Sequence, residues 1–151
     1  MKNARRRLED FRAPVKLKLA LLWASLMFLY IYNDYFSLYS PGTIEGMMAG
    51  RIGPLGEATE PKMIGVSLLL AVPALMIFLS AILAPWPNRL MNLLLGIGYT
   101  GIEVMTLIGS RLFYQIVVGL EIALTLAIVW HSLRWPTDSP REEASPKRMS
   151  S

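Results

Sequence analysis

Three carboxylates fall inside long apolar runs of this chain: Asp34, Glu103 and Glu121. An ionisable group placed inside a bilayer costs about 2.5 to 3.5 kcal/mol on insertion scales, so each one needs a compensating role. Each also belongs to a stripe of polar or small residues spaced by three and four. The stripes are Tyr30, Asp34 and Ser37; then Asn92, Gly96, Tyr99, Glu103, Thr106 and Ser110; then Tyr114, Glu121 and Thr125. Helical residues spaced this way share one face. Lipid-facing carboxylates are disfavoured, so the three faces are expected to converge inside a helical assembly, with Asn33, Gln115 and Arg111 as neighbours. Two chemistries fit such a cluster. Acids this close in low dielectric cannot all ionise unless a cation or Arg111 compensates, which describes a cation or proton site. Alternatively the acids are polar glue, hydrogen-bonding across helices to set their register at about 0.6 to 2 kcal/mol per contact.

Other residues offer less. Asn88, Arg89 and Asn92 open an apolar run, where a helix N-terminus could hold a lipid headgroup phosphate or Asn88 could simply cap the helix. The only histidine, His131, stands between Trp130 and Ser132 and reads as an interfacial side chain. No metal site is expected, and the absence of cysteine excludes a thiolate ligand, a cysteine nucleophile and a disulfide scaffold. Walker, GxSxG, HExxH and dinucleotide fingerprints are missing, and no aromatic-interleaved basic patch suggests nucleic acid. No cofactor and no catalytic residue is therefore expected.

The elements that must position the acids follow from composition. The 151 residues are 54% hydrophobic and 17% charged, against about a quarter charged in soluble domains. The apolar residues form four runs, about 17–39, 63–84, 90–109 and 112–133, each long enough to cross a hydrocarbon core of about 30 Å. The expected fold is all-α: an antiparallel bundle of four transmembrane helices over 17–135. A basic arm precedes it over 1–16, and a disordered tail rich in Ser, Pro and charge follows over 136–151. Pro73 falls in the middle of the second run, where neighbouring helices must satisfy the carbonyl it frees. Pairs of small residues at four-residue spacing, such as Gly119 and Ala123, suggest close helix packing. At 1.5 Å per residue, Asp34, Glu103 and Glu121 lie about 8, 9 and 13 Å below one end of their spans. They share a depth, and Glu121 is the deepest.

Twelve of the fifteen Lys and Arg fall on one side if the N-terminus is cytoplasmic; only Arg51, Lys62 and Arg111 fall on the other. The positive-inside rule then places both termini in the cytoplasm and the 40–62 loop outside. Within that loop, Thr43 to Met48 can form a short helix with Thr43 as cap and Glu45 in its first turn, lying over the assembly as a lid or on the membrane as a connector.

Leu22-Trp23, Tyr30-Ile31-Tyr32-Asn33-Asp34, Gly46 to Gly50, Asn88-Arg89-Leu90-Met91-Asn92 and Leu120-Glu121 occur in an order that resembles a family of small bacterial four-helix membrane proteins known only as a domain of unknown function. The resemblance spans about 15–136. It implies a multi-pass protein of the bacterial inner membrane and implies no activity. The leading expectation is a non-enzymatic structural or accessory protein. The alternatives are a cation, proton or small-solute transporter or channel acting as an oligomer, and a membrane enzyme acting on a lipid or quinone. Expected partners are membrane lipids and either a second copy or another membrane protein. The orientation is testable by cysteine labelling in intact cells: Thr59→Cys should react with an impermeant reagent and Ser145→Cys should not, and the reverse pattern would invert the topology.

Overall fold

The computed structural model describes residues 11–108 and 110–136. The basic arm expected over 1–16 lies outside them up to residue 10, as does the tail expected over 136–151 beyond Pro136. The described chain is all-α apart from one isolated antiparallel bridge between Arg51 and Glu57. Helix α1 spans Val15–Ser37, α2 Thr43–Met48, α3 Glu60–Ile82, α4 Pro85–Thr106 and α5 Leu112–Leu133. Three of them, α1, α3 and α5, are long and apolar enough to cross a membrane. Helix α4 is as long, but Asn88, Arg89, Asn92, Glu103 and three glycines dilute its apolar content.

Helix α4 begins at Pro85, five residues ahead of the apolar run that suggested a span from 90. Pro85 and Pro87 lack N–H groups in the first turn, where a helix leaves those donors unpaired, so they are tolerated there. Asn88, expected as a cap, is instead inside that turn; the cap position is Ala84. The Asn88 side chain reaches back to the preceding helix, its Nδ2 donating to the Ser80 carbonyl at 2.7 Å. The α3–α4 corner is thereby tied.

Helix α1 packs against α3 and α5, and α5 against α4, whereas α3 and α4 meet at few points. The buried apolar core comprises Leu19, Trp23 and Leu26 of α1, Met76 of α3, Tyr99 of α4 and Ile128 of α5. Helix α3 buries only Pro73, Met76 and Ser80, all in its second half. The helices are therefore closely packed at the α3–α4 corner and separate toward the end that carries the 40–59 connection.

Helices α4 and α5 approach closely at Gly96 of α4, where a Cβ would stand 2.9 Å from the Val129 Cγ2 and 3.3 Å from the Ile128 Cγ2 of α5. The four-spaced small residues Gly119 and Ala123 do not make such an approach: both are exposed, and a Cβ on Gly119 would meet nothing within 4 Å. The reason is angular. The buried face of α5 runs through Val118, Glu121, Thr125, Ile128 and Ser132, and Gly119 and Ala123 lie off it.

The connection between α1 and α3 is folded. Thr43 is the first residue of α2 and not its cap, since Gly42 holds that position with a positive φ and no side-chain cap bond forms. Beyond α2 the Ile52 N–H donates to the Gly56 carbonyl at 2.7 Å and the Lys62 Nζ donates to the Leu55 carbonyl at 2.7 Å. These contacts hold Leu55 over the open end of the helices.

Gly96→Val should destabilise the protein by about 1–3 kcal/mol through overpacking against α5. Gly98→Ala, where a Cβ meets nothing within 4 Å, should be neutral or gain up to about 1 kcal/mol of helix propensity. Thermal unfolding in detergent measures both, and equal losses would remove the close contact.

Candidate functional site

A cavity of about 290 Å³ opens where α3 and α4 diverge, at the end carrying the long connection. Asp34, Glu103 and Glu121 all line it, and no Lys, Arg or His among the described residues does. One side is acid and amide, from Asn33 and Asp34 of α1, Glu103 of α4 and Glu121 of α5. The facing side is aliphatic, from Val66, Leu69 and Leu70 of α3 with Ile102 of α4, and Leu55 reaches it from the connection. Tyr30, Tyr99, Thr106 and Tyr114 complete the lining.

The three acids stand in different surroundings. Glu103, 3% exposed, accepts a hydrogen bond on each oxygen: Tyr30 Oη donates to Oε1 at 2.6 Å and Thr125 Oγ1 to Oε2 at 2.8 Å. Each of its oxygens thus has a partner within the protein. Glu121, also 3% exposed, takes a single side-chain bond among the described residues, from Asn33 Nδ2 to its Oε1 at 3.3 Å. Asp34 is exposed at the mouth. Asn33 is 5% exposed, and its Oδ1 is buried with no hydrogen-bond partner. A buried amide oxygen without a donor among the described residues is costly.

Helix phase explains why Asn33 and not Asp34 is buried. The inward face of α1 runs through Leu19, Trp23, Leu26, Tyr30 and Asn33, steps of four and three, and the next residue is turned about 100° away. The stripe through Tyr30, Asp34 and Ser37 is thus corrected by one position. The α4 stripe places Asn92, Gly96, Tyr99 and Glu103 on one buried face, with Asn88 one turn earlier.

Below the cavity the polar groups satisfy one another. Pro73 leaves the Leu69 carbonyl without its helical partner, and the Tyr99 hydroxyl of α4 donates to it. Tyr99 also meets Trp23 edge-on, with ring centroids 5.9 Å apart. Trp23 Nε1 donates to Asn92 Oδ1 at 2.7 Å, and Asn92 Nδ2 donates to Asn88 Oδ1 at 2.7 Å. Asn88 and Asn92 have no exposed surface, so of the three residues considered for headgroup contact only Arg89 reaches the exterior. Its Nε donates to the Ser132 carbonyl at 3.0 Å, neutralising the end of α5.

Asp34, Glu103, Glu121, Tyr30, Asn33 and Tyr99 are thus brought together around one cavity. Gln115 and Arg111 are not among its lining residues; both are exposed at the start of α5, where Gln115 Nε2 donates to the Ser110 carbonyl at 3.0 Å. Arg111 precedes α5 as its cap residue, nearly three turns or about 15 Å along the helix from Glu121, and does not line the cavity as a compensating charge. His131 lies at the opposite end of α5. The described residues hold no group of three His, Cys, Asp or Glu placed to bind a metal ion. The aliphatic side of the cavity and the contribution of Leu55 were missed in the sequence, because apolar residues carry no mark of which side they face.

Tyr99→Phe should lower stability by about 1–2 kcal/mol by orphaning the Leu69 carbonyl. In a Pro73→Ala background, where the new N–H can pair with that carbonyl, the same substitution should cost much less. A double-mutant cycle on detergent-solubilised protein measures the coupling, and additive losses would dismiss it.

No curated protein and no solved structure matches the chain. Residues 8–141 match a family of unknown function, DUF6326, and the chain belongs to that family.

Proposed function

We propose that this chain is a four-span protein of a bacterial inner membrane, with both termini cytoplasmic, that binds a small cationic solute in its outer half and carries it across the bilayer. The fourth span is α4. Its inward face is polar, whereas Leu94, Ile97, Val104 and Met105 on the other side are exposed and apolar, the arrangement a lipid-surrounded helix requires. The excess of Lys and Arg on the terminal side supports the orientation.

One observation carries the binding reading. The acids line an open cavity to which no described basic residue contributes, and beside them a buried amide oxygen lacks a donor among the described residues. Negative charge held in low dielectric attracts a cation or proton. The groups present hold charge and accept hydrogen bonds, which is the chemistry of binding. Pro73 inside the otherwise continuous α3, beside a site at membrane depth, also favours this reading, since proline-containing spans line transporter binding sites. The alternative, polar glue in a structural or accessory protein, is favoured at Glu103, both of whose oxygens are engaged across helices. We therefore assign Glu103 to register and Glu121 to the solute.

Flux in liposomes tests the reading. Reconstituted protein should move protons, alkali cations or small amines, and Glu121→Gln should reduce that flux at least tenfold while leaving thermal stability nearly unchanged. Glu103→Gln should keep most of the flux. Absence of flux of every one of these cations from folded wild-type protein would reject transport in favour of the accessory reading.

A further inference from the structure

The geometry points to an amphiphilic primary ammonium ion, a protonated amine on a compact aryl or branched alkyl body, as the solute of the outer cavity. The inference rests on the cation-binding reading above and adds the chemical class.

Asn33 and Glu121 set the polar half. Asn33 Nδ2 is committed to Glu121 Oε1, which leaves Asn33 Oδ1 buried and unpartnered and leaves the second oxygen of Glu121 without a bond from the described residues. Asp34 adds a third acceptor at the mouth. An –NH₃⁺ group has three N–H donors and no acceptor, and so suits the second Glu121 oxygen and the Asp34 carboxylate, with a turn of the Asn33 amide needed to bring its buried Oδ1 into reach. Glu103 is not needed, because Tyr30 and Thr125 already occupy both its oxygens. A dehydrated divalent cation asks for more: six or more oxygen ligands at short range, and the described residues show no metal-binding group.

The other half excludes an inorganic monovalent ion as the best fit. Val66, Leu69, Leu70 and Ile102 form an apolar side that a hydrated ion would leave wet, whereas a hydrocarbon body would bury it at about 25 cal/mol per Å². The volume sets the size. About 290 Å³, at about 30 Å³ for each water-sized group, holds a molecule of roughly ten non-hydrogen atoms.

Calorimetric titration of the full-length protein in lipid nanodiscs at neutral pH tests the assignment, with 2-phenylethylamine as the probe. Saturable binding is expected, with at least a tenfold loss in Glu121→Gln and in Asn33→Leu. Methylammonium keeps the charge and lacks the body, 2-phenylethanol keeps the body and lacks the charge, and the N,N,N-trimethyl derivative keeps both and lacks N–H donors. Each should bind at least tenfold more weakly. Val66→Trp fills the apolar side without touching an acid, and it should weaken the aryl amine while sparing methylammonium, a result that stands even where Asn33→Leu fails to fold. If sodium, magnesium or methylammonium binds as tightly as the aryl amine and depends on Glu121, the class is wrong and the cation site survives. Equal affinity for the alcohol or the trimethyl derivative also overturns the class. If no cation binds, or if Glu121→Gln changes nothing, the cation-binding reading falls with it.

Discussion

Helix α4 buries Asn88, Asn92, Gly96, Tyr99 and Glu103 along one face, and those side chains cannot be left unsatisfied in an apolar interior. The neighbouring helices are placed by what that face demands. Trp23 and Tyr30 bring α1 to Asn92 and Glu103; Ser80 and the Leu69 carbonyl bring α3 to Asn92 and Tyr99; Thr125 brings α5 to Glu103. Apolar packing among Leu, Ile and Met is tolerant of sliding and rotation. Hydrogen bonds are directional, so they choose one rotation and one register from many that apolar contact would permit.

Those bonds are distributed unevenly along the helices, and the uneven distribution produces the cavity. Around Asn88, Asn92 and Ser80 every polar side chain has partners and the helices close. Past Pro73 the first half of α3 buries nothing, and its contact with α4 depends on Tyr99. That half of α3 supplies Val66, Leu69 and Leu70 to the aliphatic side of the site.

Within the cavity, one residue type takes two roles through its neighbours. Glu103 faces hydroxyls on both sides and serves as an interhelical acceptor. Glu121 faces an amide that spends one hydrogen-bonding arm on it and leaves the other empty, so this pair keeps capacity for something outside the chain. Nothing in the identity of the two carboxylates distinguishes them; the partner atoms do.

The periodicity of three and four in Asn92, Gly96, Tyr99 and Glu103 was sufficient to place them on one inward face. Apolar length was sufficient to mark α1, α3 and α5 as helices able to cross a membrane. The freed carbonyl at Pro73 was also readable as needing a partner from another helix. These are local properties, dictated by the 100° turn per residue and by the missing proline N–H. Tertiary structure decided the rest. It chose Asn33 over Asp34 for the interior, because the phase of α1 is set by Trp23 and Tyr30 reaching α4. It withdrew Asn88 and Asn92 from the surface and left Arg111 and Gln115 outside the cavity. It also put a close helix approach at Gly96, whose lack of a side chain matters only because Val129 and Ile128 of α5 stand opposite it. Which residues face one another across helices depends on relative rotation and depth, and those are set jointly by every long-range hydrogen bond in the assembly.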